Sequence, residues 1–173
     1  MVGSLEFIKS ATGSSVSSFS LTDCFTDKYD VYKVVADDIV TSTEAFLELR
    51  FINSSGTIIT TSDYDFADLF LKANTTFVER KVTNDDSIFD FNLSKGNISG
   101  GAGNTIAYIF NPTNASSYTF LTFQAGSVYD DSGTFGFGQK GIGVLKQASD
   151  ITGLHFLTNT GTVTSTIKVY GVK

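Results

Sequence analysis

Apolar and polar residues alternate along most of the chain with a period of two, the pattern of strands that bury one face. Around residues 46–51, Leu47, Leu49 and Phe51 fall on one face and Glu48 and Arg50 on the other, which predicts a half-buried strand. Residues 29–35 run almost without polar relief and predict a strand covered on both sides. Further strands are predicted over 57–61, 76–82, 105–110, 118–124, 135–145, 153–157 and 162–170. Polar turn clusters separate them: Asn53-Ser54-Ser55-Gly56, Asn84-Asp85-Asp86, Asn111-Pro112-Thr113-Asn114, Asp130-Asp131-Ser132-Gly133 and Asn159-Thr160-Gly161. Turn signals at such regular spacing predict antiparallel hairpins. The expected fold is therefore all-β, an antiparallel β-sandwich or barrel with at most one short helix.

One segment fits either regular structure. In 63–72, Phe66, Leu69 and Phe70 stand at i, i+3 and i+4, while Tyr64 and Phe66 alternate with Asp63 and Asp65. Residues 1–20 read as an N-terminal arm or first strands, and 21–173 as a single β-sandwich domain. Within the arm, 11–20 is mostly Ser, Gly and Thr, the composition of a flexible linker, although Val16, Phe19 and Leu21 among serines also fit a strand. Met1–Phe7 has neither the basic start nor the apolar run of a signal peptide.

Composition narrows the function classes. The chain has 173 residues, enough for one domain; 41% are hydrophobic, with 16 Phe and 7 Tyr, too apolar for a disordered chain. Ser and Thr together supply 42 residues. No apolar run approaches the length of a membrane span. A net charge of −6 argues against nucleic-acid binding, which needs a basic face to displace counterions. The single Cys builds neither a disulfide framework nor a thiolate metal site.

Candidate chemistry is sparse. His155 is the only histidine and is flanked by Leu154 and Phe156, as a structural histidine on one strand face would be. Alone it cannot assemble a multi-histidine zinc site. Cys24 is a nucleophile only if His155 reaches it; a buried free cysteine acting as a small hydrophobe is the commoner arrangement. Gly136-Phe137-Gly138-Gln139-Lys140-Gly141 matches GxGxxG, but Ile142-Gly143-Val144-Leu145 follows it, another strand rather than a helix able to face a pyrophosphate. It reads as a glycine-rich strand making room for aromatic neighbours. The pairs Asp37-Asp38, Asp85-Asp86 and Asp130-Asp131 have no EF-hand spacing and read as solvated turn carboxylates. Glycoside hydrolysis would require two such acids to converge across a cleft. Tyr129 with Asp130 and Asp131 forms a candidate surface contact suited to stacking on and hydrogen-bonding a sugar. Sequons occur at Asn53, Asn74, Asn92, Asn97 and Asn114, at a frequency that a chain this rich in Ser and Thr produces by chance. No cofactor and no catalytic residue is expected.

Two segments carry a resemblance. The first is Tyr29-Asp30-Val31-Tyr32 followed by the Leu47–Phe51 strand; the second runs from Gly153-Leu154-His155-Phe156 to Ile167-Lys168-Val169-Tyr170-Gly171-Val172. This layout resembles small virion proteins of tailed bacteriophages, frequent in marine and cyanobacterial phages. The resemblance implies a jelly-roll-like β-sandwich on the exterior of a phage particle, as a capsid decoration, fibre or knob, commonly homotrimeric and without shared catalytic residues. Longer members carry N-terminal attachment segments, so attachment here is expected through the globular domain or the 1–20 arm. The expected partners are further copies of the chain, other virion proteins and a host cell-surface glycan. Rival expectations are a carbohydrate-binding module, which needs a concave sheet face or aromatic loop tip, and a glycan hydrolase with converging acids. The excess of Phe is expected partly at subunit interfaces.

Overall fold

Twelve strands account for nearly all of the alternation. The computed structural model describes residues 4–95, 101–130 and 134–173. The strands are β1 (Leu5–Val16), β2 (Ser18–Leu21), β3 (Val31–Thr41), β4 (Glu44–Asn53), β5 (Tyr64–Lys72) and β6 (Val78–Asp85). They continue as β7 (Ile88–Lys95), β8 (Gly103–Phe110), β9 (Thr119–Asp130), β10 (Thr134–Leu145), β11 (Ile151–Thr158) and β12 (Val163–Val172). There is no helix among the described residues.

All pairings are antiparallel, in an eight-stranded sheet ordered β1-β12-β3-β8-β9-β10-β5-β6 and a four-stranded sheet ordered β2-β11-β4-β7. Setting aside β5–β6 and β9–β10 leaves β1-β12-β3-β8 facing β2-β11-β4-β7, the strand order of an eight-stranded jelly roll. The two remaining hairpins are insertions that lengthen the first sheet beyond β8. β9 and β10 pair without a break from Thr119↔Leu145 to Asp130↔Thr134, and β10 then pairs with β5 from Leu145↔Tyr64 to Phe137↔Lys72.

The 63–72 segment is strand β5, with Tyr64, Phe66, Asp68 and Phe70 buried and the residues between them half-buried. Two-residue periodicity wins there because both flanking strands supply a ladder. Residues 11–20 are not a linker: they lie in β1, which pairs with β12, and in β2, which pairs with β11. The predicted strand at 57–61 reduces to a single bridge, Ile52↔Ile58. Its backbone has other partners: Ile59 N–H bonds to the Phe51 carbonyl at 2.9 Å, and the Ile59 carbonyl accepts from the Tyr64 hydroxyl at 3.1 Å. The apolar run at 29–35 is buried on one face only. Tyr32, Val34 and Ala36 point into the core, while Val31, Lys33 and Val35 are half-buried on the outer face.

The main core lies between the sheets, with Phe51, Phe91, Phe156, Leu47, Leu49, Ile109 and Val169 fully enclosed. Burying two tyrosines there requires partners for their hydroxyls. Tyr32 donates to the Thr26 carbonyl at 2.7 Å and accepts from Thr26 N–H at 2.8 Å, while Tyr64 also accepts from Phe51 N–H at 2.9 Å. A second, smaller core of Phe70, Leu93 and Phe137, with Phe46 against it, holds the inserted hairpins to the four-stranded sheet. The Arg80 guanidinium lies 4.9 Å from the Phe46 ring centre and 5.0 Å from that of Phe70. Between the two cores, Gln139 donates to the Asp68 carboxylate, whose pKa burial raises.

Candidate functional site

The outer face of the eight-stranded sheet carries a concavity of about 860 Å³ crossing β3, β8, β9, β10, β5 and β6. Cross-strand register places its floor in two rows. Tyr108, Thr122 and Ile142 stand side by side on β8, β9 and β10, and next to them Ile106, Gln124 and Lys140 do the same. Lys33 on β3 lies directly opposite Tyr108, and Leu69 on β5, opposite Lys140, leads to Glu79 on β6. Only Lys33, Ile106 and Tyr108 belong to the jelly-roll strands here; the inserted hairpins contribute the rest of this floor. Tyr108 is 39% exposed, Ile106 41% and Ile142 59%, so the floor is an accessible apolar surface with polar groups at intervals. Neither Lys33 nor Lys140 forms an ion pair with any described residue.

The glycine-rich match at 136–141 lies within β10, its Lys140 and Gly141 lining the concavity, and forms no phosphate loop. A Cβ on Gly141 would come 2.6 Å from the Phe123 ring and 2.7 Å from Asp68 Cβ, and one on Gly143 would come 2.7 Å from Ile88 Cδ1. Gly141 and Gly143 leave space that neighbouring side chains fill, whereas Gly136 faces open space and Gly138 makes ordinary contacts. Tyr129 and Asp130 end β9, paired through their backbones with Phe135 and Thr134, and Asp131 lies outside the described residues.

Cys24 is fully buried, its thiol 3.6 Å from the Leu21 carbonyl, and desolvation pushes its pKa up to about 12. That environment suits an inert thiol. His155 bonds instead to Ser20, with Nδ1 2.8 Å from Oγ, across the β2–β11 ladder. Its other cross-strand neighbour is Arg50, paired with Asp86 at 2.7 Å. Burial first, and then the Arg50 charge, depress the imidazole pKa. In a serine triad a carboxylate stabilises the imidazolium, whereas here a guanidinium opposes it, so Ser20 gains no effective base. Glu48 completes this polar face; its carboxylate accepts from Ser87 at 2.9 Å and burial raises its pKa. Ser20 and His155 are 135 positions apart, and no sequence signal joins them.

A depressed histidine pKa favours the folded state above the ordinary histidine range, and that contribution is lost as pH falls through the folded pKa. His155→Gln keeps a hydrogen-bonding group but removes the titration. The gap in melting temperature between the native chain and the variant should therefore shrink from pH 8 to pH 5. Parallel curves in differential scanning calorimetry would show that His155 titrates alike in both states.

Among the described residues no three His, Cys, Asp or Glu side chains are grouped to hold a metal ion. Asp37 pairs with Lys168 and Asp86 with Arg50, each at 2.7 Å. Asn92 is fully buried, its amide donating to the Asn104 carbonyl and Thr105 Oγ1 at 3.1 Å, which removes that sequon as a glycosylation acceptor in the folded chain.

No family model matches the chain, and no curated protein matches it. Among solved structures, one titled "Structure of infectious bursal disease virus Gx strain" aligns with 97% of this chain at 11% identity and a TM-score of 0.15. The alignment spans 35% of that chain, about a third of its length. Similarity at this level carries no argument about fold or function.

Proposed function

We propose that this chain is a structural domain on the exterior of a tailed-bacteriophage particle, a homotrimer that acts by assembly and by adhesion to the host surface rather than by catalysis. The observation that carries the reading is the jelly-roll strand order combined with a sheet face that leaves large apolar side chains in solvent. Jelly rolls serve repeatedly as viral capsid and lectin domains. Leu5 is 42% exposed, Phe7 57%, Tyr118 48% and Phe120 51%, and none of them lines the concavity. Apolar surface gathered in this way favours contact with another protein. Strand addition is disfavoured at both edges of the eight-stranded sheet. Two bulges interrupt β1, and β6 carries Glu79, Arg80 and Lys81. Assembly is therefore assigned to the face.

Light scattering should return a mass near three times the 18.6 kDa of one chain. Phe7→Ser combined with Phe120→Ser should reduce it to that of one chain, and a native chain that is monomeric at micromolar concentration would overturn the assembly reading. Mass spectrometry of gradient-purified particles tests the location: the chain should be present at fixed copy number, and its absence would overturn the virion reading.

A further inference from the structure

We infer that the concavity on the outer face of the eight-stranded sheet binds carboxylated saccharides, a uronic-acid type of glycan. The inference rests on the adhesion part of the proposed function and supplies its ligand class. Three observations converge on it.

The first is size and shape. A volume of about 860 Å³ falls within the range of small-molecule sites, and the lining extends over six neighbouring strands. From β3 to β10 it crosses three strand spacings, about 14 Å, enough for a few linked sugar rings.

The second is the floor. No described side chain stacks on the 39% exposed Tyr108 ring, so a sugar's C–H face can lie on it. Ile106 and Ile142 extend the apolar surface, while Thr122 and Gln124 between them present a hydroxyl and an amide to sugar hydroxyls.

The third is charge. In a chain of net charge −6, this trough is flanked by two ammonium groups that pair with no described residue: Lys33 beside Tyr108, and Lys140 on the far side of Gln124. Two acids also line it: Glu79 at the β6 end, separated from Lys140 by Leu69, and Asp68, which is 7% exposed with its carboxylate turned to Gln139. A ligand that covers both lysines must supply acceptors, and a charge-assisted bond to a carboxylate is the strongest such contact. A neutral glycan satisfies the floor but not the flanks. A peptide would meet the same two charges without the ring-shaped apolar face that Tyr108 accommodates.

Isothermal titration calorimetry with trigalacturonic acid tests this, with neutral galactotriose as the control. Saturable binding of the acidic trisaccharide is expected at about 50 mM salt, weakening at about 500 mM as screening grows. The neutral trisaccharide should bind at least about tenfold more weakly. Tyr108→Ala and Lys33→Ala/Lys140→Ala should each lower affinity about tenfold or more, with circular dichroism and mass unchanged. Lys140→Ala alone, at an exposed position, is the variant to use if Tyr108→Ala disturbs the sheet. No binding up to about 10 mM trigalacturonic acid, a free energy weaker than about −3 kcal/mol, would overturn the site. Equal binding of the neutral sugar, or lysine variants with native affinity, would overturn the role of the charges and with it the ligand class. Because oligomeric mass is measured on the same sample, a trimer that fails to bind refutes this site, and a binding monomer refutes only the assembly reading.

Discussion

Phe156→Ala should lower the unfolding free energy by about 3–5 kcal/mol, the range for removing a buried phenylalanine from a core that closes only partly. Phe156 is fully buried on β11, where the four-stranded sheet meets the main core. Its ring stacks on Phe19 of β2 at 5.7 Å between centres and meets Phe91 of β7 at the same distance. Truncation therefore opens a hole joining both flanking strands of the smaller sheet to the interior. For a domain of this length the melting temperature should fall by about 6–20 °C. Urea denaturation followed by circular dichroism checks the size. A loss under about 1 kcal/mol would mean that the sheets approach and refill the space. Phe156→Leu, which keeps most of the volume, should cost markedly less.

Gly171→Val is the second large effect, and it acts through crowding rather than a void. Gly171 is buried near the end of β12, and an added Cβ would collide with the Tyr29 ring. Tyr29 cannot swing away freely, since it is itself 7% exposed and packs edge-on against Tyr32 at 5.7 Å. Overpacking of this kind costs about 1–3 kcal/mol, with the upper end expected because the substituent is branched. Tyr29→Ala removes the obstacle at the cost of its own packing. The double variant Tyr29→Ala/Gly171→Val should therefore be more stable than the sum of the single losses implies. Strict additivity in that cycle would show that the ring is not what excludes a side chain at 171.

The fold class was readable because alternation depends only on neighbours in sequence. Strand order was not. The jelly roll is built from pairings such as β1 with β12 and β3 with β8, and no local pattern reports them. β1 stayed open between arm and strand for a chemical reason: its second half, residues 10–15, is all small side chains and looks like a linker until a partner ladder supplies its hydrogen bonds. Residues 57–61 misled in the opposite direction, since Thr and Ile suit a strand but only one bridge forms. The candidate site was the least legible part. Lys33, Tyr108, Gln124 and Lys140 are scattered over four strands and become neighbours through register alone. The aromatic surplus divides unevenly. Most described phenylalanines enter the core, among them Phe25, Phe51, Phe66, Phe123 and Phe137, while Phe7, Phe77 and Phe120 remain exposed.

The pairing of β1 with β12 carries a consequence for the timing of folding. Leu5 meets Val172 and Glu6 meets Gly171, so the first of the twelve strands is completed by the twelfth. β12 also joins β1 to β3 and so occupies the middle of the original four-stranded half. Contacts this remote in sequence must overcome loop-closure entropy before they return any stability, which slows folding. On the ribosome the earlier strands emerge with open edges and wait for β12. The local β9–β10 hairpin can form much earlier, which makes the insertion that builds the concavity a natural starting point for the sheet that contains it.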